Sequence, residues 1–103
     1  MRNLLLTSRA EKSLEEIVDY YLEFHSSERA IKVVQSIEDA FAGICKAPYN
    51  YPVCFDIKNP VDNVRQIIVH HTFKIVFGIR ENNIEVIEIL HGRRDPKLIE
   101  DIS

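Results

Sequence analysis

The sequence predicts an α+β domain with two helices laid on one face of an antiparallel sheet. Three observations predict it. A short apolar run opens the chain, two stretches with helical apolar period follow it directly, and three β-rich runs separated by short turns come last. Strands joined by connections too short to hold a helix pair antiparallel, so the last three form a meander. At 103 residues, the chain is expected to be one domain over 1–103.

Residues 2–7, RNLLLT, read as the first strand. Ser8 and Glu11 stand at capping-box spacing, which would satisfy two orphan amides at a helix start. Ala10, Leu14, Ile17, Val18 and Tyr21 then recur at helical spacing, predicting a helix over roughly 9–24 with Glu15, Glu16, Asp19 and Glu23 on its wet side. Ser26 or Ser27 can cap a second helix, whose apolar positions are Ala30, Val33, Val34, Ile37, Phe41 and Ile44. That helix must stop before Pro48, because a proline drives the residue ahead of it out of the helical region. The short turn between the two makes them an antiparallel hairpin.

Residues 48–63 hold three of the four prolines and no clean period, which predicts a long ordered loop with an extended piece at Val53–Ile57. The strands that follow are 64–70, 73–80 and 84–91. Asn82 and Asn83 tolerate positive φ and suit the second hairpin turn, and His70-His71 reads as a solvated pair at the first. Alternation puts Phe73, Ile75, Phe77 and Ile79 on one face of the middle strand and Lys74, Val76, Gly78 and Arg80 on the other. The aromatic face is expected to pack on the helices. Lys74 and Arg80 are then expected on an open face, together with Arg65.

Composition excludes several classes. With 46% hydrophobic and 28% charged residues the chain reads as a soluble globular protein. Its longest apolar runs, such as Leu4-Leu5-Leu6, fall far short of the ~20 residues that cross a bilayer. Its start lacks the apolar core of a signal peptide, so a cytoplasmic location is expected. Cys45 and Cys54 match no zinc spacing, and the four histidines do not supply one. Two reduced thiols, no metal and no cofactor are expected. The net charge of −3 lies entirely in residues 1–45, with five Lys/Arg against eight Asp/Glu. The second half is balanced and is the better candidate for an anion-facing surface.

The ending EILHGRRDP, residues 88–96, places His91, Arg93 and Arg94 around Gly92 at the close of the last strand. Three roles are open to it: chemistry on a phosphate, contact with an acidic partner, or capping of the sheet. Gly92 reads as a turn position with unusual φ.

SRAEKSLEEIVDYY in the first helix, VRQIIVHHTFKIVFGI across the next two strands and EVIEILHGRRDP at the close occur in an order and spacing that resemble the RelE/ParE superfamily of toxins from type II toxin–antitoxin modules, often called plasmid-stabilisation proteins. The resemblance covers about residues 4–96, and the ending LHGRRDP looks like the ParE branch. It implies the toxin component of a pair, neutralised by a cognate antitoxin. RelE-like members are ribosome-dependent messenger-RNA endonucleases; ParE-like members poison DNA gyrase without that activity.

Cleavage of RNA by its own 2′-hydroxyl needs a base, an acid and cations around the phosphate. Carried onto this chain, the RelE-like pattern puts Lys74 at the third-strand basic position, Arg94 at the post-strand arginine and Arg65 at the first second-strand position. Ile67 stands where a second basic residue is needed, and no aromatic residue follows Phe77. His91 is the remaining proton shuttle. A nuclease would therefore rest on Lys74, His91 and Arg94.

The binding reading asks less. Arg65, Lys74, Arg80, His91, Arg93 and Arg94 would form a docking surface for the target or the antitoxin, because guanidinium forks pair with carboxylates and phosphates. Apolar grooves beside the helical hairpin would take hydrophobic anchors of an antitoxin segment that folds on binding. The exposed member of Tyr20-Tyr21 is a further candidate contact. The sequence therefore favours a ParE-like toxin that acts by contact on DNA gyrase, with an antitoxin as partner, no membrane, and either a homodimer or a hetero-oligomer with the antitoxin. A non-toxic member that only binds antitoxin is the remaining alternative.

Overall fold

A computed structural model describes residues 3–53, 63–70 and 72–91. The elements run β1 (Asn3–Leu6), α1 (Ser8–Phe24), α2 (Ser27–Lys46), a 3-10 turn (Pro48–Asn50), β2 (Val64–Val69), β3 (Phe73–Ile79) and β4 (Asn83–His91). The last three strands pair antiparallel as expected, but the sheet is mixed. Its order is β1-β4-β3-β2, and β1 lies parallel to β4. The two helices return the chain from the end of β1 to the far edge of the sheet, which a parallel edge strand requires.

The start of α1 corrects the expected cap. Thr7, not Ser8, is the N-cap, and its Oγ accepts from the Ala10 amide at 3.1 Å. The same hydroxyl donates to the Ile87 carbonyl at 2.7 Å, and the Thr7 amide donates to the Val86 carbonyl at 3.0 Å. One side chain therefore caps the helix and ties it to β4, which the Ser8/Glu11 pair could not do. For α2 the cap is Ser26, whose Oγ accepts from the Arg29 amide.

The tie falls at an irregularity. The register of β3 on β4 shifts between Val76 and Phe77, so that Val76 opposes Glu88 while Phe77 opposes Val86. Ile87 is the extra residue of a β-bulge, and Thr7 takes up the carbonyl the bulge exposes. The consequence for side chains is large. Ile84, Val86, Ile89 and His91 all turn inward to the helices, although their sequence numbers change parity halfway.

The core is the layer between this face and the hairpin: Ala10, Ile17 and Tyr21 from α1, Ile37, Phe41 and Ile44 from α2, and Phe73, Ile75, Phe77, Ile84 and Val86 from the sheet. Tyr20-Tyr21 divides as its spacing implies, with Tyr21 buried and Tyr20 half-buried. Cys45 is buried on α2, and burial pushes its thiol pKa up. The opposite face of the sheet has its own small apolar cluster, Val64 and Val76 with Ile87.

Positive φ occurs at Asn63 (50°) and His70 (54°) rather than at Asn82 or Asn83. The β3–β4 turn instead closes with the Arg80 amide donating to the Asn83 carbonyl at 2.8 Å. Within the expected loop, Val53 bridges to Arg65, and the Pro52 carbonyl accepts from the Gln66 amide at 3.0 Å. The rest of the expected extended piece, Cys54, His71 and everything from Gly92 onward lie outside the described residues.

Candidate functional site

Strand register decides which cations share a surface. Residues directly opposite in a sheet point to the same side. Arg65 opposes Phe77, Ile67 opposes Ile75 and Val69 opposes Phe73, so all three point toward the helices. Lys74 opposes Ile68 on one side and Leu90 on the other, and it points away from the helices. The expected common face of Arg65, Lys74 and Arg80 therefore does not form.

Arg65 is a clamp on the chain that leaves α2. Its Nη1 donates to the Tyr51 carbonyl at 2.6 Å, its Nε donates to Asn63 Oδ1 at 3.2 Å, and its guanidinium carbon lies 5.2 Å from the centre of the Tyr49 ring. Tyr51 in turn sets its ring edge-on to Phe77 at 5.9 Å and its hydroxyl against Gly43. A Cβ at position 43 would stand 2.7 Å from the Tyr51 hydroxyl, which is why the helix carries glycine there.

Lys74 keeps its expected face but not its expected exposure: it is 4% accessible. Arg80 lies across Gly78, where an added Cβ would meet the guanidinium within 2.5–2.8 Å, and pairs with Glu85 at 3.2 Å. Glycine at 78 gives a flat bed for this side chain. Glu88, on the same face, pairs with Arg9 from the first turn of α1 at 3.2 Å.

His91 is the largest departure. It opposes Phe73 and is 6% accessible, enclosed in an aromatic box on the helix side of the sheet. Phe73 stacks on it with centroids 4.9 Å apart, Tyr20 meets it edge-on at 4.8 Å, and Tyr21 stacks at 5.8 Å. This is a core aromatic position. Lys74 and His91 thus sit on opposite faces of the sheet, both buried, and cannot meet on one phosphate. Arg93 and Arg94 lie outside the described residues.

Sequence reasoning missed one cluster. His70 projects from the β2–β3 turn and its Nε2 lies 2.7 Å from Ser36 Oγ on α2, fixing the turn against the helix. A cleft of about 710 Å³ opens beside this contact, lined by Arg29, Lys32, Asp39 and Thr72 with Phe73 at its base. Its signal was the left-handed geometry at His70, which no sequence pattern marked. Among the described residues no group of three or more His, Cys, Asp or Glu could hold a metal ion, and no helix is long and apolar enough to cross a membrane.

Comparison with known proteins accords with this architecture. A family profile described as "ParE toxin of type II toxin-antitoxin system, parDE" matches residues 4–96. Among solved structures, a chain of the chromosomal ParDE toxin–antitoxin system from P. aeruginosa superposes with a TM-score of 0.72 at 23% identity, covering 88% of this chain and 96% of that one. At that identity the likeness shows the shared fold. No curated protein sequence matches. The family profile spans nearly the whole chain, and the chain belongs to the ParE toxin family of type II toxin–antitoxin systems.

Proposed function

We propose that this protein is a cytoplasmic toxin held inactive by a cognate antitoxin, and that it inhibits DNA gyrase by binding rather than by breaking a bond. The observation that carries the choice is the parity of the sheet. A ribonuclease of the related branch needs cations and a proton carrier on one surface. Here the two described candidates, Lys74 and His91, are buried on opposite faces. The β2 residues that share Lys74's face are Val64, Gln66 and Ile68, none of them cationic. Arg65 and Ile67, the positions matched to the nuclease pattern, face the helices.

Contact inhibition requires only a shaped surface with charge to orient it. Arg80 on the outer face, with Arg93 and Arg94 following β4, supplies the cations of the docking surface, and the antitoxin would cover apolar ground on the helical hairpin. The experiment is a pair of assays on the purified protein. Gyrase supercoiling reactions should accumulate unsealed, linear DNA in a dose-dependent way, and excess antitoxin should abolish the effect. Cleavage of messages on translating ribosomes, with gyrase untouched, overturns the reading in favour of a nuclease. Neither effect, with antitoxin binding intact, reduces it to antitoxin binding alone.

A further inference from the structure

The two edges of the sheet are finished differently. Along β2, the Pro52 carbonyl accepts from the Gln66 amide at 3.0 Å and Val53 bridges to Arg65, whose guanidinium holds this strip through the Tyr51 carbonyl. The β1 edge has no such cover among the described residues. The Asn3 amide donates to the Asn82 carbonyl and the Thr7 amide to the Val86 carbonyl, a parity that directs Asn3, Leu5 and Thr7 at β4. Leu4 and Leu6 therefore turn their amides and carbonyls outward, where they meet no hydrogen-bond partner among the described residues.

A row of free amides and carbonyls is a template for another strand, and natural sheets guard such edges with lysine, proline or a bulge. Asn3-Leu4-Leu5-Leu6 has no charge, no proline and an unbroken register on β4. Leu4 and Leu6 pack on the core, but Leu5 belongs to neither apolar cluster and is 51% accessible.

The strip is its own complement. Turned antiparallel about a two-fold axis at Leu5, Leu4 meets Leu6 of a second copy and Leu6 meets its Leu4. All of these face outward, so each opposed pair exchanges an amide–carbonyl bond in both directions. Leu5 then stands opposite its own copy at the non-bonded position, where side chains approach most closely. Because the strip is uncharged, two acidic chains can meet here without setting carboxylates face to face.

We propose that β1 pairs with β1 of a second copy of this chain, joining two four-stranded sheets into one. The two-fold axis stands normal to the sheet, so both outer faces lie on one side of the pair and both helical hairpins on the other. The assembly closes as a dimer, since the far edge of each sheet is covered by its own Pro52-Val53 strip. With four residues, β1 is only about 13 Å long, so the contact falls below the ~1,200 Å² of a standard interface and association is concentration-dependent. The pairing requires neither gyrase nor antitoxin.

Sedimentation equilibrium of the purified full chain, across about three decades of concentration, tests this. Wild type should pass from monomer to dimer as concentration rises. Leu5→Lys and Leu5→Glu each set like charges together at the axis, and each should weaken self-association at least tenfold. Because Leu5 lies outside the core, both variants should keep the circular dichroism spectrum of wild type and melt close to it. Mixed in equal amounts they should regain the dimer, since the lysine then faces the glutamate, a rescue that misfolded variants could not give. Wild type that stays monomeric at every concentration overturns the pairing. A wild-type dimer that Leu5→Lys leaves equally strong places the contact elsewhere and overturns it as well. Calorimetry supplies the remaining outcome: if wild type never dimerises and Leu5→Lys weakens antitoxin binding instead, a partner strand is the occupant and the proposal fails.

Discussion

Replacing Arg65 with alanine separates structural from docking roles at a position where the expected open-face cation turns toward the helices instead. Three contacts are lost. The charged donor to the Tyr51 carbonyl, at 2.6 Å, contributes about 1.5–2 kcal/mol, at the low end for a charged hydrogen bond because the group is only half-buried. The guanidinium over Tyr49 adds roughly 0.5 kcal/mol at such a wet site. The longer bond to Asn63 Oδ1, at 3.2 Å, adds another ~0.5 kcal/mol. The expected loss is therefore about 3 kcal/mol, read as a lower urea midpoint at unchanged slope, with a fall in Tm of roughly 10–20 °C for a domain of this size. Arg65→Lys should recover little, since an ammonium cannot serve the Tyr51 carbonyl and Asn63 together from one plane. Antitoxin affinity, measured well below the variant's Tm, should change less than about threefold, a shift under ~1 kcal/mol. An Arg65→Ala protein that is as stable as wild type but binds its antitoxin or gyrase tenfold less tightly would refute the clamp and return this residue to the docking surface.

His91→Ala should cost about 3 kcal/mol by opening a cavity among Tyr20, Tyr21 and Phe73, whereas His91→Phe keeps the box filled and should stay within ~1.5 kcal/mol of wild type; thermal melts of both variants check this. Gly43→Ala gains helix propensity but drives a Cβ to 2.7 Å from the Tyr51 hydroxyl, so it should be net destabilising alone and neutral or better in combination with Tyr51→Phe, a coupling that a double-mutant cycle in urea measures. Burial raises the Cys45 pKa, so its native thiol holds its proton above the pH at which the unfolded thiol loses it; this contribution to stability is full below its ordinary value of 9.0 and is lost as pH rises beyond it. Cys45→Ser should flatten that alkaline slope in urea midpoints taken from pH 8 to 10.

Much of the fold could be read directly because its signals are local. Apolar spacing placed both helices, Pro48 ended the second, and short connections forced the meander. What escaped was non-local. Thr7 caps α1 because β4 is beside it, and nothing within seven residues of Thr7 announces a strand eighty positions away. The mixed sheet escaped for the same reason, since a four-residue strand carries no mark of its partner. Of the candidate site, the basic residues were visible as types but not as a surface. Arg65 was assigned by charge, and charge says nothing about which side of a sheet a side chain leaves from.

The bulge shows how such an error enters and how it can be avoided. In NIEVIEILH the inward residues run Ile84, Val86, then Ile89, His91, so the apolar alternation slips by one at Ile87-Glu88. A strand of fixed period would have carried Leu90 inward and left His91 on the outer face with Lys74. The slip puts it opposite Phe73, where its ring packs against Phe73, Tyr20 and Tyr21. The same slip sends Glu85 and Glu88 together to the outer face, where each engages an arginine, Arg80 and Arg9. One inserted residue thus removes from solvent the histidine on which a nuclease would rest and brings two carboxylates onto the face that Lys74 shares.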